Sequence, residues 1–235
     1  MSEKCQFRTL ALKESLVFVQ SVMVHADAFD DGLAAYQRGD YAAALNFWKS
    51  LAEQGDAAAR NYLGVAYAEG RGVPHDDAEA AWWWRMAADQ GFAQAQTNLG
   101  FIYYNGQGVP QDYAEAVKWF RNAAEQGHAE AQNNLGVMYR DGRGVPQDDA
   151  ESAKWLRLAT DQGFAQAQNN LGVMYADGAG VPQDYVAAHI WFTLAAAQDF
   201  EEAQKAQNAL ASIMTPNQIA EAQRMAREWM AKHQQ

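Results

Sequence analysis

The sequence predicts an all-α fold, an α/α superhelical solenoid of antiparallel helix hairpins, on three observations. Gly64, Gly100, Gly136 and Gly172 recur at a step of 36 residues, as do Pro74, Pro110, Pro146 and Pro182, and again Trp83, Trp119, Trp155 and Trp191. A fixed period of roughly 20–50 residues marks stacked structural units. Within each period the apolar residues follow helical spacing, and Gly and Pro punctuate them at constant places.

Residues 129–163 show one unit in full. Ala131, Leu135 and Tyr139 stand at i, i+4 and i+8 with Met138 beside them, which gives one apolar helix face. Gly136 lies inside that helix, where it costs about 1 kcal/mol against Ala, and its return in every copy predicts another backbone passing close. Gly142 suits the left-handed position that closes a helix, and Pro146 follows as the stop. The second half opens with Asp148 and Glu151, repeating Asp76/Glu79 and Asp112/Glu115, which has the spacing of a capping box. The fourth copy keeps Asp184 but carries Ala187, so a weaker cap is expected there. Ser152, Trp155, Leu156, Ala159 and Thr160 then form a second stripe, with the repeated Trp as core, and Gly163 ends it. Such a hairpin cannot bury its stripes alone and must stack on its neighbours.

The pattern A-x-x-x-L-G-x-x-Y-x-x-G-x-G-V-P-x-D-x-x-x-A-x-x-W runs from Ala59 to Trp83, Ala95 to Trp119, Ala131 to Trp155 and Ala167 to Trp191, with Ser152 the one departure. It resembles the SEL-type (Sel-one-like) repeat, a relative of the tetratricopeptide repeat, over roughly Asp56 to Asp199. That resemblance implies an α/α superhelix that binds other proteins, with the first helices of the repeats lining a concave surface.

Composition bounds the function. Asp and Glu total 29 against 18 for Lys and Arg, a net charge of −11, which argues against nucleic acid, whose partners need a basic footprint. The acidic balance fits a soluble protein or one that receives a basic partner. Cys5 is the only cysteine, so neither an intramolecular disulfide nor a Cys-based metal site can form. This sets the chain apart from the cysteine-rich branch of the SEL-type family and weakens any carry-over of that branch's penicillin binding.

In chain order, residues 1–26 read as a signal peptide or as an apolar N-terminal helix lying on the first repeat. Lys4, Arg8 and Lys13 precede an apolar run from Leu16 to Val24, and Val24-His25-Ala26 resembles a cleavage site. The run is too short to span a membrane, which takes about 20 apolar residues. A signal peptide would place the protein in the periplasm or outside the cell; otherwise it is cytoplasmic. Residues 27–55 form a shorter, tetratricopeptide-like hairpin that lacks the G-V-P loop. Four full repeats follow at 56–91, 92–127, 128–163 and 164–199. Residues 200–235 supply C-terminal capping helices, the last opened by Thr215, Pro216 and Gln218, with Ile219, Ala222, Met225, Ala226 and Trp229 on its inner side.

No catalytic constellation emerges. His75, His128 and His189 share no ligand spacing, no phosphate loop is present, and the Asp/Glu pairs are better explained as caps. No cofactor or metal is expected. The remaining surface is the first-helix face opposite the core stripe: Asn61, Val65, Thr97, Phe101, Tyr104, Asn133, Arg140 and Asn169. A ladder of Asn amides, broken by Thr97, can hydrogen-bond an extended peptide, with Phe101 and Tyr104 adding apolar contact. The alternative is that Val65 and its equivalents pack against the neighbouring first helix. Trp82 is the odd aromatic, because its equivalents are Lys118, Lys154 and Ile190. It is either an exposed binding anchor or packed under the N-terminal hairpin. The expected function is a non-enzymatic scaffold for a protein or peptide. The alternatives are a β-lactam-binding protein or weak hydrolase like the cysteine-rich relatives, and a self-assembling module that forms homodimers.

Overall fold

The computed structural model describes residues 28–233; the apolar run at Leu16–Val24 and the cleavage motif lie outside the described residues. The helices are α1 (28–37), α2 (Tyr41–Glu53), α3 (Ala57–Glu69), α4 (Asp77–Ala88), α5 (Ala93–Asn105), α6 (Tyr113–Glu125), α7 (Ala129–Asp141), α8 (Asp149–Asp161), α9 (Ala165–Asp177), α10 (Tyr185–Ala196), α11 (Glu201–Ala211) and α12 (Pro216–His233). Among the described residues there is no strand, and the fold class is an all-α helical-repeat solenoid.

The chain divides into two compact units. The first holds the described residues up to Ala95 together with Gln107–Val109, and the second holds Gln96–Gly106 and everything from Pro110 onward. In the first unit, Leu45, Trp48, Leu51, Ala59, Leu63 and Ala66 form the core, and Tyr36, Tyr62, Val73 and Trp83 pack against it. In the second, Ala153, Leu156, Ala159, Ala167, Leu171 and Met174 join one repeat to the next.

The expected backbone approach is present at Gly136, where a Cβ would lie 3.3 Å from the Ser152 backbone oxygen of the second helix. At all four helical glycines a second-helix side chain comes closer still. A Cβ on Gly64 would lie 2.6 Å from Trp84 Nε1, and one on Gly100 would lie 2.6 Å from the Phe120 ring. Leu156 and Phe192 fill the same place beside Gly136 and Gly172. The deepest aromatic is therefore the residue after the repeated Trp. Phe120 is almost fully buried, whereas Trp83, Trp155 and Trp191 are only half-buried and Trp119 alone of that column is buried. The repeated Trp instead packs at the seam between repeats: Trp83 on the core shared by the N-terminal hairpin and α3, and Trp191 on the core shared by α8 and α9. The N-terminal hairpin repeats the glycine contact in a shortened form. Gly32 faces Trp48 across 16 positions, where Gly64 faces Trp84 across 20.

Each loop is pinned at both ends. Asp76 Oδ1 accepts from the backbone N–H of Glu79, Asp112 Oδ1 from Glu115 and Asp148 Oδ1 from Glu151. The reciprocal half of the capping box is absent among the described contacts. The N–H of each capping Asp donates instead to a tyrosine carbonyl of the preceding helix, from Asp112 to Tyr103, Asp148 to Tyr139 and Asp184 to Tyr175, each at 2.9 Å. The fourth cap matches the third, with Ala187 N donating to Asp184 Oδ1 at 3.0 Å, whereas Asp76 and Asp112 accept a second N–H from Ala78 and Ala114. Gly144, with φ +71, has no room for a Cβ beside the Tyr113 backbone, so the loop rests directly on the preceding second helix.

At the C-terminal end the expected capping box forms, with Thr215 N donating to Gln218 Oε1 and Gln218 N to Thr215 Oγ1. Ala222 and Ala226 are buried, Ile219 packs on the core of Ala188, Phe192, Ala195 and Leu210, and the Trp229 ring meets Trp191 edge-on at 6.2 Å. Met225 departs from the expected inner face and is 40% exposed.

Candidate functional site

The first-helix face separates into two kinds of residue. Asn61, Thr97 and Asn133 are buried, so the expected outward ladder of amides is not an open surface at these positions. They belong to the seams between and within repeats. The Asn133 carbonyl oxygen accepts from Asn170 Nδ2 at 2.8 Å, one repeat on, and Thr97 Oγ1 lies 3.0 Å from His128 Nδ1. Burial pushes the His128 pKa below the usual histidine range, with Glu130 opposing as a lesser effect. The spacing argument failed here because a polar residue opposite the apolar stripe meets the next first helix before it meets solvent. Asn170, the partner that sequence reasoning missed, stands one position past the expected column.

Val65, Phe101, Tyr104, Arg140 and Asn169 are half-buried, and so remain within reach of a ligand. Val65 belongs to the first unit and the other four to the second. The Phe101 ring stands edge-on to Phe120 at 5.3 Å, which fixes its orientation. Tyr104 accepts a hydrogen bond from Arg143, whose guanidinium lies 5.5 Å from the Tyr104 ring and 5.8 Å from that of Tyr113. Arg140 is steadied by Asp141, Nε to Oδ1 at 3.0 Å. The Asn169 Oδ1 atom is buried without a hydrogen-bond partner among the described residues.

Other polar groups fasten helices within a repeat and one repeat to the next. Arg121 Nη2 donates to the Tyr139 hydroxyl at 2.6 Å, and Arg157 Nη2 to that of Tyr175 at 3.1 Å. Gln162 Nε2 donates to Gln132 Oε1, while Gln132 Nε2 donates to the Ala124 carbonyl of the repeat before. In the first unit Tyr36 donates to Glu69 Oε2 and accepts from Arg71. Burial, followed by the Glu69 hydrogen bond and charge, pushes the Tyr36 pKa up to about 12. Sequence reasoning missed these Arg–Tyr and Gln–Gln pairs, although their repetition at the 36-residue step was a usable signal.

Among the described residues no group of three or more His, Cys, Asp or Glu is placed to hold a metal, and no helix is long and apolar enough to cross a membrane. Trp82 is 51% exposed and does not pack under the hairpin.

The chain is similar to two bacterial proteins of known structure. One is c5321, described as a protective antigen present in uropathogenic Escherichia coli strains displaying an SLR fold, with 36% identity and a TM-score of 0.74 over 89% of this chain. The match covers 45% of that longer protein. The other is a Sel1 repeat protein from Oxalobacter formigenes, with 35% identity and a TM-score of 0.68 over 75% of this chain and 72% of that one. No curated protein matches. The Sel1 repeat model matches residues 57–92, 93–128, 129–164 and 165–200, and also 25–56, which takes in the shortened hairpin. Sel1 repeats generally serve as protein-interaction scaffolds. With five matched stretches on an all-α repeat fold, the chain belongs to the Sel1 repeat family.

Proposed function

We propose that the protein is a non-enzymatic scaffold that receives an extended peptide or protein segment on the outer face of its first helices. One observation carries this reading. In the second unit two columns, 101/137/173 and 104/140/176, stay half-buried, while Leu99, Leu135 and Leu171 are enclosed. Half-buried columns of mixed apolar and polar residues suit a shallow groove that trades solvent for a partner. The second of these columns reads Tyr104, Arg140 and Ala176, so it varies where the framework repeats, as a specificity surface should. In the second unit Phe101 and Tyr104 offer apolar area, and Arg140 offers donors to a backbone carbonyl or carboxylate.

The test compares wild type with Arg140→Glu and Phe101→Ser for retention of partner proteins from the native cell. Both variants should melt within a few degrees of wild type and lose the same partners. An unchanged partner set in folded variants would refute the groove. A periplasmic or secreted location remains part of this proposal through residues 1–26. Amino-terminal sequencing of protein from the native cell should begin at Asp27; an intact Met1 would place the protein in the cytoplasm instead.

A further inference from the structure

The second helices reveal a different site. In α6, Lys118 Nζ lies 3.2 Å from Glu115 Oε1 and 5.4 Å from the centroid of the Trp119 ring. In α8, Lys154 Nζ repeats the ion pair with Glu151 at 2.7 Å. A lysine of the chain itself thus pairs with a carboxylate on the exposed face of the second helix in both repeats, and in α6 it also lies over the repeated Trp. One period earlier, α4 keeps Glu79 and Trp83 in register but carries Trp82 in place of the lysine. The Trp82 ring stands edge-on to Trp83 at 4.5 Å and 76°, and half of the residue is open to solvent. Glu79 makes no ion pair with any described residue.

We propose that Glu79 and Trp82 form a docking point for a lysine or arginine side chain of a basic partner protein. The argument comes from the repeats: two copies fill this position with their own cation, and the first exchanges that cation for the aromatic residue with the strongest affinity for one. An indole face and a neighbouring carboxylate both attract a cation, and Trp is over-represented where partners anchor. The net charge of −11 draws a basic segment toward the surface and disfavours a second copy of this chain as occupant. The site lies on the second helix of the first full repeat, so it stands or falls apart from the first-helix groove.

The full chain is titrated with hexalysine, and with hexa-acetyl-lysine as the uncharged control, while the Trp82 indole N–H resonance and binding heat are followed. Wild type should bind hexalysine saturably at one site, shift that resonance, weaken as salt rises, and ignore the acetylated peptide. Trp82→Lys rebuilds the arrangement of α6 and α8, so it should fold normally, fill the site internally, and weaken binding at least about fivefold. Glu79→Gln should weaken it as well. Gln223→Lys adds the same charge on α12 and should leave the affinity within about twofold. Lys154→Trp should create a second site. Absence of saturable binding by wild type, equal weakening by Gln223→Lys and Trp82→Lys, or a single site in Lys154→Trp would each overturn the proposal.

Discussion

Two residues show how tightly single side chains hold the repeats. Trp84 Nε1 donates to the Asn61 carbonyl at 3.1 Å from the space that Gly64 leaves open. A Gly64→Ala methyl would displace the indole and break that bond. Overpacking of this kind costs roughly 1–3 kcal/mol, and the better helix propensity of Ala returns only about 1. A net loss of about 1–2 kcal/mol is expected in a chemical denaturation titration. His189 is buried, its Nδ1 lies 3.2 Å from Thr193 Oγ1, and Gln207 Nε2 donates to that same oxygen at 2.7 Å. Thr193 already donates to the His189 carbonyl, so the imidazole must donate from Nδ1. Burial pushes the His189 pKa below the usual range, as it does for His128. The unfolded chain then binds more protons near its own pKa of about 6.5, so stability is complete above that pH and falls on acidification. Melting temperature should drop from about pH 7.5 to 5.5, and His189→Gln should flatten part of that slope. An identical slope in the variant would remove His189 from the account.

At the scale of the element, the caps and the last helix carry measurable stability. Replacing Asp148 or Asp184 by Ala should cost about 1 kcal/mol in either case, because both carboxylates accept one backbone N–H and both backbones bond the preceding helix. A much smaller loss at Asp184 would restore the weaker fourth cap that Ala187 suggested. Removing residues from Thr215 onward uncovers Ala188, Phe192, Ala195 and Leu210, so the truncated chain should melt lower and scatter light more strongly. Helix positions, loop glycines and Asp caps were all legible in the sequence, because each depends on local chemistry repeated at a fixed step. The destination of Asn61, Thr97 and Asn133 was not. Helical geometry gives the direction in which a side chain leaves its own helix, and only the neighbouring repeat decides whether it then meets water. Met225 teaches the same lesson at the last helix: its angular position suited the inner face, yet it is exposed while Ala226 is buried and Trp229 meets Trp191.

At the scale of the molecule, the repeated residues and the varied residues do different work. Leu, Gly, Tyr and Asp of the motif are used to join helix to helix, the Gln–Gln pairs to tie the two helices of one repeat, and the Arg–Tyr pairs to join one repeat to the next. What varies among the copies, Tyr104 and Arg140 on first helices and Trp82 on a second helix, is what we propose for partners. The central claim is that such a surface docks a polypeptide. A photo-crosslinking residue at position 140, compared with one at the more exposed Leu158 on α8, tests it most directly. The account predicts a discrete covalent adduct with a partner polypeptide from position 140 in the native cell, and none from position 158. Equal labelling from both positions, or none from position 140, would contradict it.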